Sequence, residues 1–268
     1  AVAEMDWTPK EATEWVDFSD RVQQLMKRFE LMGIRYSKSS YAVTAAAEMN
    51  MEQQAVTVAL ENEFPNTQIR YALHAEVEPS SKIYTKPVEL KETTQLQAAV
   101  FKDGKQMGDT LMQNFEFHKG AGKPVNYVTQ PHKNYLGNDA TLINVLRGSK
   151  NFHDGQWQAW INDPMEIIID LGETEEVKRV TLGTLENQGS GIYFPVEITV
   201  YVSKDGKNYK EAGIFSRAHQ ANPSSELKDF TVNFKAQKAA FVKIIAKNAT
   251  DLPKGGSGFL FVDEVIVD

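Results

Sequence analysis

The chain has 268 residues, 41% hydrophobic, 24% charged and 10% aromatic, with a formal net charge of −7. That length suits one large domain or two to three small ones, and the acidic balance argues against nucleic acid, whose binders usually carry a basic face. No apolar run approaches the ~18 residues of a membrane span, and the absence of cysteine excludes disulfides, thiolate metal sites and a cysteine nucleophile. The chain opens AVAEMDWTPKEATEW, without an initiator Met, a basic n-region or an apolar h-region. It therefore reads as a mature or truncated chain whose targeting signal, if any, lies outside it.

Residues 8–32 carry the one strong helix pattern. Thr8 suits an N-cap, Pro9 the first helical position, and Glu11 completes a capping box. Trp15, Phe18, Val22, Leu25, Met26, Phe29 and Met32 then form a helical stripe, and Gly33 supplies the stop. One amphipathic helix cannot bury such a face alone, so the stripe implies a neighbour.

From residue 37 to about 118 the apolar period changes to two. Val56, Val58 and Leu60 alternate with polar residues, as do Ile69, Tyr71 and Leu73, then Leu96, Ala98 and Val100. Lys102-Asp103-Gly104-Lys105 is a hairpin-turn signal, and Phe115 and Phe117 close the pattern. Several short strands over this length suggest a small β-sandwich. GAGKPVNY, residues 120–127, reads as a joint, after which the two-residue period resumes through Ile167 and Ile169, Val177 to Leu185, and Val196 to Val202. A second Lys-Asp-Gly-Lys turn at 204–207, then Phe230 to Phe234, Phe241 to Ala246 and Leu260 to Val267, complete a second all-β unit.

Catalytic signals are sparse. Asp263 and Glu264 are adjacent in the terminal strand pattern FVDEVIVD, where neighbouring side chains face opposite ways. A hydrolytic pair must converge on one bond, so one carboxylate is expected to be solvated and the other structural or metal-binding. His74, His118, His132, His153 and His219 show no HExxH spacing. There is no GxSxG elbow and no phosphate loop, so the residues by themselves offer no catalytic constellation. NFHDGQWQAW, residues 151–160, holds two of the four tryptophans with a histidine and an aspartate. By its residues alone it is a ligand loop, a catalytic site or polar core.

Three stretches resemble known families, in an informative order. AVAEMDWTPKEATEWVDFSDRVQQLMKRFELMGIRY, with Ala1, Glu4, Trp7 and Thr8, resembles the end of the (β/α)8 barrel of family 20 β-N-acetylhexosaminidases. QIRYALHAEVEPSSKIYTKPVELKETTQLQAAVFKDGKQMG resembles the small sandwich that follows that barrel in chitobiases, through Ile69, Tyr71, Pro79, Tyr84, Pro87 and the Asp103-Gly104 turn. His74-Ala75 replaces the usual Asp-Gly of that pattern. RGSKNFHDGQWQAW, EIIIDLG (166–172), GIYFPVEITVYVSKDGKNY (191–209) and FVDEVIVD resemble a discoidin, or coagulation factor V/VIII type C, domain, the fold of family 32 carbohydrate-binding modules.

The resemblance implies a mainly β chain: residues 1–36 a barrel remnant with its last helix, 37–122 a small immunoglobulin-like β-sandwich, and 123–268 a discoidin-like jelly-roll sandwich. It further implies the non-catalytic C-terminal region of an exported bacterial β-N-acetylhexosaminidase, periplasmic or at the cell surface. The His-x-Gly-Gly-Asp-Glu motif of that chemistry is absent from this sequence, so by this resemblance the chain is expected to be inactive alone. Implied partners are the parent's catalytic barrel and glycans of terminal galactose or N-acetylhexosamine type, with no nucleic acid and no membrane insertion. The alternative is a pair of structural or protein-docking modules that bind no glycan.

By the same resemblance, a sugar would be read at the loop end by His153, Trp160, Asn187, Tyr193, Phe194, Arg217, His219 and Phe259. Trp157 is expected in the core beneath those loops, while Trp160 is equally suited to core and ligand. Tyr193 and Phe194 can equally close the start of the strand after Pro195. No cofactor is required. A structural calcium ion is possible, held mostly by backbone carbonyls with Glu264 and the residue at 144, where Asn144 replaces the usual aspartate.

Overall fold

The computed structural model describes residues 14–250, 252 and 255–268. The capping pattern expected at Thr8, Pro9 and Glu11 lies outside these. The chain divides into two compact units, Ala1–Ala47 with Val58–Glu89 and Thr94–Phe115, and Glu48–Thr57 with Leu90–Thr93 and Glu116–Asp268.

The helix α1 spans Trp15–Leu31. It stops where the stripe predicted: Gly33 takes the left-handed φ of 68° and the Ile34 amide returns to the Phe29 carbonyl at 2.9 Å, a glycine C-terminal cap. The covered face differs from the expected one. Ser19 and Gln23 are its most buried side chains, and Gln23 accepts a 2.6 Å bond from Lys102 Nζ. Trp15, Leu25 and Met32 of the predicted stripe are exposed. The Trp15 indole N–H nonetheless reaches the Glu63 carbonyl at 3.0 Å.

Eight strands follow: β1 (Thr44–Asn50), β2 (Ala55–Glu61), β3 (Gln68–Leu73), β4 (Lys82–Ile83), β5 (Val88–Leu90), β6 (Thr94–Lys102), β7 (Lys105–Gln106) and β8 (Leu111–Phe115). One sheet runs β1–β2–β5, and a second runs β4–β3–β6–β7 with β8 also on β6. Lys102 pairs with Lys105, with Asp103 and Gly104 both at positive φ, 51° and 75°. That is the type I′ hairpin expected of Asp-Gly. The alternation predicted for β6 is too simple, because Leu96, Ala98, Ala99, Val100 and Phe101 are all buried. A strand flanked on both sides and covered on both faces loses its period-two signature.

The larger unit contains β9 (Val125–Tyr127), β10 (Gln158–Trp160), β11 (Met165–Glu186), β12 (Glu197–Ser203), β13 (Lys210–Ser216), β14 (Glu226–Lys247) and β15 (Leu260–Val267). The strand order is β10–β15–β11–β14–β12–β13, with β9 on β11. Two 22-residue strands, β11 and β14, pair antiparallel along their length, with register breaks between Asp170 and Glu175 and between Val177 and Arg179. Those breaks divide them into two halves. The Ile167–Ile169 half pairs with β9, and its β14 partner half pairs with β12; the Val180–Leu185 half pairs with β15. Bulges let a strand bend, and the two halves enclose one core: Ile167, Ile169, Val242 and Ile244 pack in the same cluster as Val180, Leu182, Val232, Val265 and Val267. The 204–207 turn is not a tight hairpin, since β12 ends at Ser203 and β13 begins at Lys210. Asp205 holds that wider loop by accepting the Lys207 and Asn208 amides at 2.9 and 2.8 Å.

Gly183, on β11, has no room for a side chain. A Cβ there would collide with Asp263 Oδ1 and Arg147 Nη2. Gly183→Ala should therefore destabilise the unit by roughly 1–3 kcal/mol, the usual effect of overpacking, read as a lower midpoint in denaturant unfolding.

Candidate functional site

The adjacent carboxylates of β15 face opposite ways, as strand geometry requires, yet neither is solvated: Asp263 and Glu264 are each 1% exposed. Asp263 Oδ2 accepts from Arg147 Nε at 3.0 Å and from the Gly148 amide at 2.8 Å. Arg147 also pairs with Asp229 at 2.5 Å. Burial pushes the Asp263 carboxyl up, while the Arg147 guanidinium and the Gly148 amide pull it down. This pair fixes the start of the 147–156 loop and cannot converge with Glu264 on one substrate bond.

Glu264 Oε1 lies 2.8 Å from His118 Nε2. His118 Nδ1 accepts the Gly120 and Val267 amides at 3.1 and 3.3 Å, so Nδ1 carries no proton and Nε2–H is the donor to Glu264. Burial lowers the His118 pKa to about 4. Burial raises the Glu264 carboxyl well above the usual range, and nearby Asp263 adds to the rise; Arg147 and the amides of Val145 and Asn144 act in the opposite direction.

The calcium set implied by resemblance can be tested on these atoms. Asn144 Oδ1 accepts the Leu146 amide at 2.8 Å, and its Nδ2 donates to Gln156 at 3.1 Å. The Leu142 and Ile143 carbonyls accept the Val265 and Gly122 amides, each at 2.8 Å. Of the two side chains in the set, Glu264 keeps one buried oxygen, Oε2, without a hydrogen-bond partner. Calcium takes roughly six to eight oxygens, and the side chains of this set bring it one carboxylate, Glu264, and an amide whose oxygen is already used by Leu146. Among the described residues no group of three or more His, Cys, Asp or Glu is placed to hold a metal ion.

The loops at one end of the unit gather aromatic rings instead. Tyr135 is their hub, with ring centroids 6.4 Å from Phe152, 6.1 Å from His153, 5.8 Å from Phe259 and 4.6 Å from Phe261. His132 lies 5.3 Å from Phe259, edge to face. Phe261 and Trp157 are buried and form the floor, while His153 is exposed and His132, Tyr135, Phe152 and Phe259 are half-buried. Trp157 is in the core as expected, with its indole N–H on the Ser149 carbonyl at 3.1 Å. It packs so closely over Gly148 that a Cβ there would strike the indole. Asp154 braces the same loop by accepting the Ser149 and Gln156 amides at 2.6 and 3.0 Å.

The remaining candidates divide. Tyr193 and His219 stack edge to face at 5.3 Å, and the Tyr193 amide bonds the Phe259 carbonyl at 2.9 Å, which ties this second pair to the first cluster. Asn187 is spent locally, its Oδ1 capping the turn at Ser190. Arg217 lies 5.8 Å over both Phe194 and Phe230. Two expected sugar contacts are corrected by burial. Trp160 is 1% exposed, because it already lies in β10 opposite Leu260, and its indole N–H is used by the Thr129 carbonyl at 3.0 Å. Phe194 is 3% exposed and packs on Phe230 at 5.1 Å. His132, Tyr135 and Phe152 were missed in the sequence; their signal was aromatic residues in otherwise polar loops, HKNY and NFHD.

Comparison with known families gives two matches. The F5/8 type C domain model matches residues 127–263, and the chitobiase/beta-hexosaminidase C-terminal domain model matches residues 48–112. Among solved structures, the chain is similar to CpGH89CBM32-5 from Clostridium perfringens, solved with GalNAc-beta-1,3-galactose. The identity is 20%, over 53% of this chain and 94% of that one, with a TM-score of 0.33. It is also similar to chitosan-binding module 2 of a chitosanase/glucanase from Paenibacillus sp. IK-5, solved with chitotriose: 19% identity, 56% and 98% coverage, TM-score 0.38. No curated protein matches.

The two sets of partners on His118 make its protonation measurable. Long-range nitrogen–proton NMR should find the Nε2–H tautomer, neutral down to about pH 5. The folded value lies below the unfolded one, so as pH falls from about 6.5 to about 4 the unfolded chain takes up a proton that the folded chain refuses. Over that window the His118 contribution to stability declines.

Proposed function

The chain belongs to the F5/8 type C domain family, and from that premise we propose that the loop end of its larger unit binds carbohydrate. The observation that carries this reading is the aromatic cluster of His132, Tyr135, Phe152, His153 and Phe259 around one hub ring. A pyranose has an apolar C–H face that sheds water against such rings, while the imidazoles of His132 and His153 at the rim meet its hydroxyls. The buried floor of Trp157 and Phe261 keeps the rings fixed, so little ordering is lost on binding. Terminal galactose and N-acetylhexosamine are the ligand types proposed.

The proposed setting is the non-catalytic C-terminal region of an exported, periplasmic or cell-surface β-N-acetylhexosaminidase. The chitobiase-type match directly before the F5/8 match supports it. In that setting residues 1–36 are the end of the catalytic barrel, 37–122 the immunoglobulin-like spacer and 123–268 the sugar-binding module, and the catalytic carboxylates belong to the barrel. A second reading, protein docking, has its own support in α1, whose Trp15, Val16 and Leu31 are exposed. The two readings concern different surfaces and are compatible.

Titration calorimetry of the full chain with galactose, N-acetylgalactosamine, N-acetylglucosamine and chito-oligosaccharides tests the sugar reading. Tyr135→Ala should weaken binding about tenfold or more, on the scale of ring-stacking losses at binding sites. Trp160→Ala should instead cost roughly 3–5 kcal/mol of stability, as a buried ring does. Absence of heat with every sugar, from a chain shown to be folded, would leave only the docking reading.

A further inference from the structure

The family resemblance implies a calcium ion beside the last strand, and the residues here do not fit one. We propose that His118 does the work such an ion would do, clamping β15 from within through Glu264, so that this domain folds and stays folded without calcium.

The geometry is that of a buried polar pair whose Glu264 Oε1 is held by His118, while Oε2 has no hydrogen-bond partner. His118 and Glu264 side chains are each 1% exposed and 2.8 Å apart. The far ring nitrogen is held by two backbone amides, Gly120 and Val267, and these fix the tautomer that presents Nε2–H to Glu264. The clamp therefore joins three points: the 118–122 segment before β9, the middle of β15 and its end. Neighbouring backbone bonds run between the same places, Lys119 to the Val267 carbonyl at 2.9 Å and Gly122 to the Ile143 carbonyl at 2.8 Å.

In the loop that would supply calcium's carbonyls, two carbonyls each already accept one backbone hydrogen. Leu142 and Ile143 carbonyls accept from Val265 and Gly122. Asn144 turns its side-chain oxygen onto Leu146 and adds no charge to the site. Val145 adopts φ 58°, a left-handed conformation costly for a β-branched residue. The loop thus holds a strained form around a hydrogen-bonded carboxylate. A divalent ion here would meet a single carboxylate, one oxygen of which is already held by His118.

Thermal unfolding of the full chain separates the two arrangements. After EDTA treatment, adding millimolar calcium chloride should move the Tm by no more than about 1 °C, since an ion that does not bind the folded state cannot stabilise it. Calcium calorimetry should show no saturable heat. His118→Ala should lower the Tm by roughly 5–10 °C, because it leaves a buried carboxyl without its donor, and His118→Gln, which retains an N–H donor, should recover part of that loss. Should His118→Ala fail to fold, the wild-type calcium titration together with His118→Gln decides: both should unfold at a Tm indifferent to calcium, His118→Gln a few degrees below the wild type. A calcium-dependent rise of several degrees in the wild type, abolished by Glu264→Gln, would overturn the proposal.

Discussion

Asp263 and Glu264 lie next to one another in β15, and the pleat sends them to opposite faces of a strand that is buried on both. Each must then find its donors in different parts of the chain. Asp263 finds Arg147 and the Gly148 amide, and thereby sets where the 147–156 loop begins. Glu264 finds His118, and thereby ties the segment before β9 to the terminal strand. Burying a carboxyl without such partners costs several kcal/mol, so the two contacts are conditions on the fold as much as consequences of it. Gly183 belongs to the same constraint, because only a residue without Cβ leaves room for the Arg147–Asp263 pair.

From that anchored strand the candidate site follows by short steps. Phe261, two residues before Asp263, is buried and forms the floor under Tyr135. Phe259, two residues earlier still, leans over the same ring from the rim. The 147–156 loop, fixed at its start by Asp263 and braced internally by Asp154, delivers Phe152 and His153 to the other side. The rings are thus carried on loops whose ends are held by buried polar bonds, the condition under which a loop presents a rigid binding face.

Much of this architecture is visible in the sequence, and the reasons for the exceptions are physical. The Asp103-Gly104 hairpin and the Gly33 stop are local, set by φ requirements that few residues meet, and so could be read from two or three letters. The opposite facing of Asp263 and Glu264 follows from strand period alone. Trp160 and Phe194 failed as ligand contacts because aromatic identity is the same in core and rim; only the register of β10 on β15 and the Phe230 contact distinguish them. The helix α1 shows the converse, with Ser19 and Gln23 buried and Trp15 exposed, because hydropathy reports what a face tolerates and not which neighbour it meets.

His118 is the residue least accessible to sequence reasoning. It stands 146 positions from Glu264, just before the stretch that reads as a joint, and no spacing rule connects a lone histidine to a terminal strand. Asn144, by contrast, carried a readable hint, since an amide where a carboxylate is expected removes charge from a cation site. The two observations explain one another. Once a neutral imidazole donates to the buried glutamate, a second carboxylate at 144 would add unpaired negative charge to a dry site beside Asp263 and Glu264, and an amide able both to donate and to accept is the residue that loop can accommodate.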